Sequence, residues 1–133
     1  MRPVLADTNV ISDVIHSDPN WEEWSLQKLG DHFDDLLINP IIFAELCCRV
    51  SSTDELEEAL APFKLKYQEL PREALFLASQ AFLIYRQRGG SKPSPLPDFF
   101  IGAHAAALEI PILTRDVWRY QTYFPEVELI CPD

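Results

Sequence analysis

The stretch PLPDFFIGAHAAALEIPILTRD, residues 95–116, predicts a buried helix followed at once by a buried strand, and it decides the fold. Pro97 suits a first helical turn, and Asp98 then lies at the positive end of the helix dipole, which favours the ionised carboxylate. The residues after it are apolar almost all the way round, which is typical of a helix buried on most sides. A proline ends the helix, residues 112–113 form a short strand, and a second acid, Asp116, follows where that strand leaves the sheet.

The amino-terminal stretch has the same organisation of an apolar strand followed by an acid. Residues 3–6 are apolar and end at Asp7, as a buried parallel strand does where it meets a helix. We expect further strands at 36–38 and 127–130, and a short edge strand at 67–70. Helical patterns separate these strands, which predicts the α/β class: an open parallel sheet of four to five strands flanked by helices, with right-handed crossovers.

The helices are predicted from apolar spacing and from the residues at their ends. A capping signature opens the stretch 53–63, and Gly89 and Gly90 stop a long helix that begins at Pro71. That long helix is apolar on more than one stripe, so we expect it either to be covered on two sides or to meet a partner. A twofold homodimer through residues 73–85 is the simplest such partner.

Length and composition favour one domain spanning 1–133. The chain has 133 residues, of which 47% are apolar and 24% charged, as in a folded globular protein. No apolar run approaches the roughly 18 residues of a membrane-spanning helix, and the amino terminus lacks the pattern of a signal peptide. We therefore expect a cytoplasmic protein without a membrane role. Cys47, Cys48 and Cys131 form no C-x-x-C pair, which favours buried, reduced thiols over a disulfide or zinc site.

The net charge of −10 argues against non-specific nucleic-acid binding through a basic surface. Any nucleic-acid role must then be local. A cluster of acids that binds divalent cations accounts for part of this charge, and the bound cations would present a positive site to a phosphate.

Glu45 is the acid whose position is hardest to explain structurally. On a helical wheel it shares a stripe with Ile41, Ile42 and Cys48, so it lies on the apolar face of the helix IIFAELCCRV. A carboxylate there loses several kcal/mol of solvation unless it is paired, protonated or bound to a cation. The competing interpretation is a surface ion pair with Arg49, one turn further along.

Four acids are predicted to meet at the carboxyl ends of the strands, where parallel α/β sheets gather functional groups. We call them the acidic quartet: Asp7, Glu45, Asp98 and Asp116. Four converging carboxylates repel one another, unless hard cations such as Mg²⁺ or Mn²⁺ occupy the gap between them. An acid after a strand is also a common helix cap, so each residue alone is weak evidence and the joint pattern is the stronger one.

The motifs LADTNVIS, IIFAEL, PDFFIGAHAAALEIPILTRD and YFPEVELI resemble those of PIN-domain ribonucleases of the VapC toxin type, over essentially the whole chain. The resemblance implies that the acidic quartet holds one or two magnesium or manganese ions and cleaves RNA, with Asn9 and Thr114 as supporting residues. The sequence departs from the family at Glu109, where a glycine is frequent, and at Arg119, where some members carry a further acid.

The resemblance also implies a partner, a VapB-type antitoxin. Trp21 and Trp24 lie three residues apart on one small helix and are candidate anchors for it, in a groove between the first helices and the helix at 53–63; packing inside the monomer is the alternative. A basic residue of the partner's tail is expected to compete with metal at Asp98 or Asp116. RNA contacts are expected from the basic residues that flank the quartet, notably Lys92, Arg115 and Arg119.

Other functions were weighed against the nuclease. The three histidines are expected to be structural, including His104 in the buried helix. A phosphoacceptor receiver domain also places acids on a doubly wound sheet, but it needs a late lysine, and none follows Lys92. A non-catalytic interaction module on the same fold is the remaining alternative, against which an intact acidic quartet argues.

Overall fold

The structure is a computed structural model that describes residues 2–133, in which strands and helices alternate. In chain order its elements are β1 (Val4–Ala6), α1 (Thr8–Ile15), α2 (Glu22–Asp31), β2 (Leu36–Ile38), α3 (Pro40–Cys47), α4 (Thr53–Leu60), a 3₁₀ turn (Ala61–Phe63), β3 (Lys66–Tyr67), α5 (Arg72–Gln87), α6 (Pro97–Leu108), β4 (Ile112–Leu113), α7 (Trp118–Tyr123) and β5 (Leu129–Ile130). The predicted α/β class is confirmed. Across residues 2–133, no helix is long and apolar enough to cross a membrane.

The strands of the described chain form one five-stranded sheet in the order β3-β2-β1-β4-β5, and every pairing is parallel. β1 lies at the centre, where Leu5 pairs with Leu37 on one side and with Ile112 on the other. The chain therefore leaves β1 in one direction to build β2 and β3 and returns on the other side to add β4 and β5. Such a reversal opens a crevice at the carboxyl ends of the central strands.

Side-chain caps begin three of the α-helices in the described chain. Asp7 caps α1 by accepting a hydrogen bond from the Thr8 N–H, and Asn39 caps α3 by accepting one from the Ile42 N–H. α4 begins at Thr53 as expected, but its cap is the preceding Ser52, whose hydroxyl accepts from the Glu55 N–H. The edge strand predicted at 67–70 is present but shorter and shifted, at Lys66–Tyr67, so it shares only Tyr67 with the prediction.

α6 is the central buried helix, and its packing explains a glycine and an unusual glutamate. A Cβ at Gly102 would lie 2.3 Å from the Phe124 ring, so only glycine allows this close approach. The helix ends at Leu108, before the proline that was expected to stop it. Glu109 follows in the left-handed conformation with φ of 55°, where a glycine would carry no steric penalty.

α5 packs on α6 through a stripe of small residues and leaves its other face open. Ala74, Ala78 and Ala81 are buried in a cluster that also contains Phe99. Phe76 and its apolar neighbours on the outer face are exposed, with 63% of Phe76 accessible. The expectation that α5 is covered on two sides is therefore wrong for the part of the chain that the structure describes, and the expectation that it meets a partner stays a prediction.

The cysteines carry no disulfide in the described chain. All three are free, as expected. The expectation that they are buried is wrong, since Cys48 is exposed and Cys47 and Cys131 are partly exposed. Cys48 lies one residue past the end of α3, where the helix face turns to solvent, so its apolar position on the wheel does not bury it.

Candidate functional site

A cleft of about 490 Å³ opens at the carboxyl ends of β1 and β4, at the reversal point of the sheet. All four members of the acidic quartet line it. The structure thus brings together side chains that are 109 positions apart in sequence, from Asp7 to Asp116. We call this feature the acidic cleft. It also contains supporting and basic residues that come from α1 and from the loop after β4, including Asn9, Asp13 and Arg115.

Asp7 is the most firmly held carboxylate in the acidic cleft. It is only 4% exposed. Oδ1 accepts a hydrogen bond from the Thr8 N–H at 2.7 Å. Oδ2 accepts from the Thr114 and Tyr120 hydroxyls, each at 2.9 Å, and from the Asn9 amide at 3.4 Å. Four donors from three separate parts of the chain therefore fix this side chain.

Burial raises the pKa of Asp7 to about 6, against an ordinary value of 3.8, although the Tyr120 and Thr114 hydroxyls oppose the shift. The nearby charge of Asp98 raises the pKa further. Burial raises the pKa of the Tyr120 phenol well above its usual range, so Tyr120 stays a proton donor to the carboxylate. Asp7 is a carboxylate that is confined, desolvated and preoriented at the base of the acidic cleft.

Glu45 lies on the inner face of α3 and is held from α1. Its Oε1 accepts a hydrogen bond from the Thr8 hydroxyl at 2.6 Å. Arg49, the alternative partner, donates instead to the Ser12 hydroxyl at 3.2 Å, so the surface-pair interpretation of Glu45 is wrong. Because Thr8 also donates its backbone N–H to Asp7, one residue orients two of the four acids.

Asp98 opens α6 and is more loosely held. Its side chain is one-third exposed, and Oδ2 lies 3.8 Å from the Arg119 Nε. Desolvation raises the pKa of Asp98, the charges of Asp116 and Glu45 raise it further, and Arg119 lowers it. The repulsion between these carboxylates is the electrostatic signature of a shared site. Arg119 therefore partly offsets the negative charge of Asp98.

Asp116 is exposed, and the loop that carries it is organised by Thr114. The Thr114 hydroxyl accepts from the Asp116 N–H at 3.0 Å while it donates to Asp7. The Asn9 amide oxygen accepts from the Arg115 N–H at 3.2 Å, and its nitrogen donates to Thr114 at 3.2 Å. Both residues predicted to support the acids therefore contact Asp7 and tie β1 to the loop after β4.

A buried acid that the sequence reasoning missed anchors one wall of the acidic cleft. Asp13 is 3% exposed and receives two hydrogen bonds from the Arg115 guanidinium, at 2.7 and 2.8 Å, plus one from the Ser25 hydroxyl. The Arg115 guanidinium also lies 5.4 Å from the centre of the Trp21 ring. The signal was present, because Asp13 lies one turn after the buried Val10 on α1 and so shares its inner face.

The structure separates the predicted RNA contacts. Arg115 lines the acidic cleft and Arg119 contacts Asp98. Lys92 is exposed in the loop before α6 and is absent from the cleft lining; its N–H donates to the Tyr85 hydroxyl.

The two tryptophans predicted as antitoxin anchors, Trp21 and Trp24, pack edge to face with ring centres 6.0 Å apart, and Trp24 packs against the main core.

His104 is structural, as its place in the buried helix indicated. It is fully buried, its Nδ1 lies 3.0 Å from the Asn39 amide nitrogen, and burial lowers its pKa. Asn39 uses its oxygen to cap α3, so its nitrogen is the donor and His104 is neutral. His16, by contrast, lines the acidic cleft from the end of α1.

The donor set fits a hard divalent cation in the type of its ligands. Carboxylate oxygens are the ligands that magnesium and manganese prefer, and all four acids face one crevice. Within residues 2–133, however, no three histidine, cysteine, aspartate or glutamate side chains stand close enough to share an ion as they are oriented. The residue types of the acidic quartet therefore fit a metal site, but the four carboxylates do not form a coordination sphere as they stand.

A model of the PIN domain matches residues 4–120. Similar folds include VapBC2 from Rickettsia felis bound to a DNA fragment from their promoter, at 18% identity and a TM-score of 0.73 over 98% of each chain. FitAcB from Neisseria gonorrhoeae is 21% identical, with a TM-score of 0.69 over 96% of each chain. A toxin-antitoxin complex from Klebsiella pneumoniae is 21% identical, with a TM-score of 0.64 over 93% of this chain and 94% of that one. No curated protein matches significantly.

Proposed function

The chain belongs to the PIN-domain family, and from that premise we propose that it is a metal-dependent endoribonuclease, the cytoplasmic toxin of a type II toxin–antitoxin pair. One observation carries the proposal. The acidic quartet lines a single cleft at the carboxyl ends of the strands, with Asp7 buried and hydrogen-bonded at its base. The toxin role draws on the similar folds of a toxin-antitoxin complex and of VapBC2.

The acidic quartet would hold one or two magnesium or manganese ions. When bound, such ions neutralise the charge of the scissile phosphate and lower the pKa of an attacking water. The carboxylates that must approach one another are the less constrained ones, Asp98 and the exposed Asp116, whereas Asp7 and Glu45 are already oriented by hydrogen bonds. Movement of these two side chains is the adjustment that we propose for metal binding.

The remaining residues of the acidic cleft position the acids and the substrate. The Thr114 and Tyr120 hydroxyls both donate to Asp7 Oδ2 and so fix the orientation of the carboxylate. Arg115 is locked to Asp13 through Nε and Nη2 on the wall of the cleft, so its Nη1 is held in place as a donor without the entropy loss of ordering a free side chain. A phosphate of the RNA backbone is the group that such a fixed guanidinium suits.

The purified chain should cut single-stranded RNA internally in Mg²⁺ or Mn²⁺. Excess EDTA should stop the reaction, and sequencing of the new RNA ends should identify the cleavage site. Intact RNA under all metal conditions would contradict the nuclease proposal. Cleavage that persists in excess EDTA would contradict its metal dependence.

A non-catalytic interaction module is the second candidate. The observation in its favour is the open arrangement of the acids, since no three of the metal-ligating side chains of residues 2–133 share a coordination distance as they stand. The same RNA experiment separates the two candidates, because a module binds its partner without changing the RNA.

The proposed antitoxin anchor lies in an apolar cavity of about 190 Å³ between α2 and the 3₁₀ turn. Leu26 and Phe33 line it and are 54% and 47% exposed. Trp21 and Trp24 are half-buried and do not line this cavity, so we assign the anchor contact to the exposed Leu26 and Phe33 as well. Phe33→Asp should weaken antitoxin binding and leave the cleavage rate unchanged; equal loss of both would assign Phe33 to the fold.

The proposed homodimer uses the open face of α5. Leu75, Phe76 and Leu83 are 44%, 63% and 51% exposed on that face. Burying Phe76 or Leu83 against a second copy would contribute about 1.5–3 kcal/mol each. Light scattering at tens of micromolar should give twice the chain mass, and Phe76→Glu should reduce it; a monomeric wild-type mass would contradict the dimer.

A further inference from the structure

A second pocket, of about 430 Å³, lies between the end of α5 and α7, and it has a different chemistry from the acidic cleft. We call this feature the aromatic pocket. Its aromatic and charged lining residues are Tyr85, Arg88, Trp118, Arg119 and Tyr123. Both charged side chains are cationic, and none of the described residues that line the pocket is acidic. In a chain with a net charge of −10, this is a local positive surface.

Aromatic rings and guanidinium groups alternate in the aromatic pocket. The Arg88 guanidinium carbon lies 5.5 Å from the centre of the Tyr123 ring. That of Arg119 lies 5.8 Å from both the Tyr85 and the Trp118 rings. Trp118 is 64% exposed, so one large ring remains open to a ligand. Proteins bind the bases of single-stranded RNA on such surfaces, by stacking them on aromatic rings and arginine planes.

The aromatic pocket adjoins the acidic cleft at two points. Arg119 lines the aromatic pocket, and its Nε lies 3.8 Å from Oδ2 of Asp98, which lines the acidic cleft. Trp118 follows Asp116 by two residues, at the start of α7. A strand whose backbone crosses the acidic cleft would therefore bring a neighbouring base to Trp118.

We propose that the aromatic pocket is a subsite for an unpaired nucleobase of the RNA, next to the phosphate that is cut, with Trp118 as the stacking platform and Arg88 as a contact for the flanking phosphate. The proposal rests on the ribonuclease function and adds its substrate class, single-stranded RNA. Stacking tolerates any base, because every base has a π-face. The pocket then supplies affinity and position more than sequence choice.

The test uses the full chain with Glu45→Gln, which should block cleavage and lies outside the aromatic pocket, in the presence of Mg²⁺. The probes are a 12-nucleotide oligoadenylate and a 12-unit ribose-phosphate strand without bases. Trp118→Ala should weaken oligoadenylate binding at least about fivefold, as expected for one lost base–aromatic stack. Trp118→Phe should restore most of it. The strand without bases should bind weakly and equally to all these variants.

A matched control is Tyr67→Ala, an aromatic residue that is 53% exposed on β3, at the opposite edge of the sheet. It should leave oligoadenylate binding unchanged. Because Trp118 is mostly exposed, Trp118→Ala should keep the melting temperature of its parent, which separates a binding loss from unfolding.

Two results would overturn the subsite. One is oligoadenylate affinity that Trp118→Ala leaves unchanged, which would assign the exposed ring to another partner, such as a polypeptide. The other is an equal loss of affinity for both probes, which would show that no base is recognised. If the wild-type chain cuts no RNA but Trp118→Ala still weakens oligoadenylate binding selectively, the ribonuclease proposal fails and the subsite stands.

Discussion

Asp7 and Asp98 lie in the same cleft, but the chain holds them in opposite ways. Asp7 is buried and accepts hydrogen bonds from four donors, two of which come from the distant Thr114 and Tyr120. Asp98 is one-third exposed at the first turn of α6, and its contact with Arg119 spans 3.8 Å. One carboxylate is built into the core, and the other stands at its surface.

This difference indicates that the two carboxylates have different roles, one fixed and one adjustable. Raising the pKa of Asp7 from 3.8 to about 6 means that its charge costs about 3 kcal/mol in the folded, metal-free state at neutral pH. A protein keeps such a group where a cation offsets the cost or where the orientation itself is needed. Asp98 carries less constraint, so in the proposed metal site it would be the carboxylate that is freer to adjust.

The largest expected effect comes from Asp98→Asn. It keeps the shape of the side chain and removes a ligand charge, so RNA cleavage should fall by more than about a hundredfold. The metal-free melting temperature should not decrease, because the repulsion from Asp116 and Glu45 is relieved. Gel-based cleavage assays and thermal melts measure the two quantities.

The control for Asp98→Asn is Asp54→Asn, the same chemical change at an exposed acid in the first turn of α4. Cleavage should stay at the wild-type level in this control. A comparable loss in both variants would mean that overall charge, and not the acidic cleft, governs activity.

Tyr120→Phe tests the other side of the comparison, the fixed Asp7. It removes one hydrogen bond to a buried carboxylate, so the free energy of unfolding should fall by about 1.5–3 kcal/mol at pH 7. The Tyr120 hydroxyl stabilises the charged form of Asp7, so its removal raises the pKa of Asp7 further. The loss of stability should therefore be largest above pH 6 and should shrink as pH falls below about 6, where Asp7 is protonated in the folded wild type.

Tyr123→Phe on the same helix is the control, because its hydroxyl makes no side-chain hydrogen bond within the part of the chain that the structure describes. Urea unfolding at pH 5 and pH 7 gives the comparison. A Tyr120→Phe effect that is equal at both pH values would contradict a charged Asp7 as the partner of the phenol.

The smallest expected effect comes from Arg119→Gln. Arg119 lowers the pKa of Asp98, so its removal should raise that pKa in an NMR titration of the metal-free protein. The Arg119–Asp98 pair is partly exposed and long, at 3.8 Å, and such pairs contribute about 1 kcal/mol or less, so cleavage should fall by less than about tenfold. Arg2→Gln, at a surface pair with Glu128, should leave the pKa of Asp98 unchanged; equal shifts in both variants would mean a general charge effect.

Sequence patterns predicted the frame of the fold because that frame depends on local signals. The strand before Asp7, the strand at 36–38 and the succession from Pro97 to Asp116 all combine an apolar run with a turn or cap residue. The cap of α4 and the exposure of Cys48 were mispredicted, since one residue of shift along a helix end changes which group caps and which faces water.

The acids of the site could be predicted and most of their partners could not. The carboxyl ends of parallel strands lie at the same edge of a sheet, so the sequence predicts that Asp7 after β1 and Asp116 after β4 lie on the same side of the molecule. Tyr120 reaches Asp7 across 113 positions of sequence, and Arg115 reaches Asp13 across 102. Such contacts depend on how α7 and the loop after β4 pack, which no local pattern encodes.

The most direct test of the central claim, that these four carboxylates form one metal site, is a calorimetric titration of the metal-free chain with Mn²⁺ at pH 7. Wild type should bind one or two ions, and Asp98→Asn and Glu45→Gln should each weaken binding at least about tenfold, whereas Asp54→Asn should bind as wild type does. Wild-type affinity in both acidic-cleft variants, or no binding to the wild-type chain, would contradict the account.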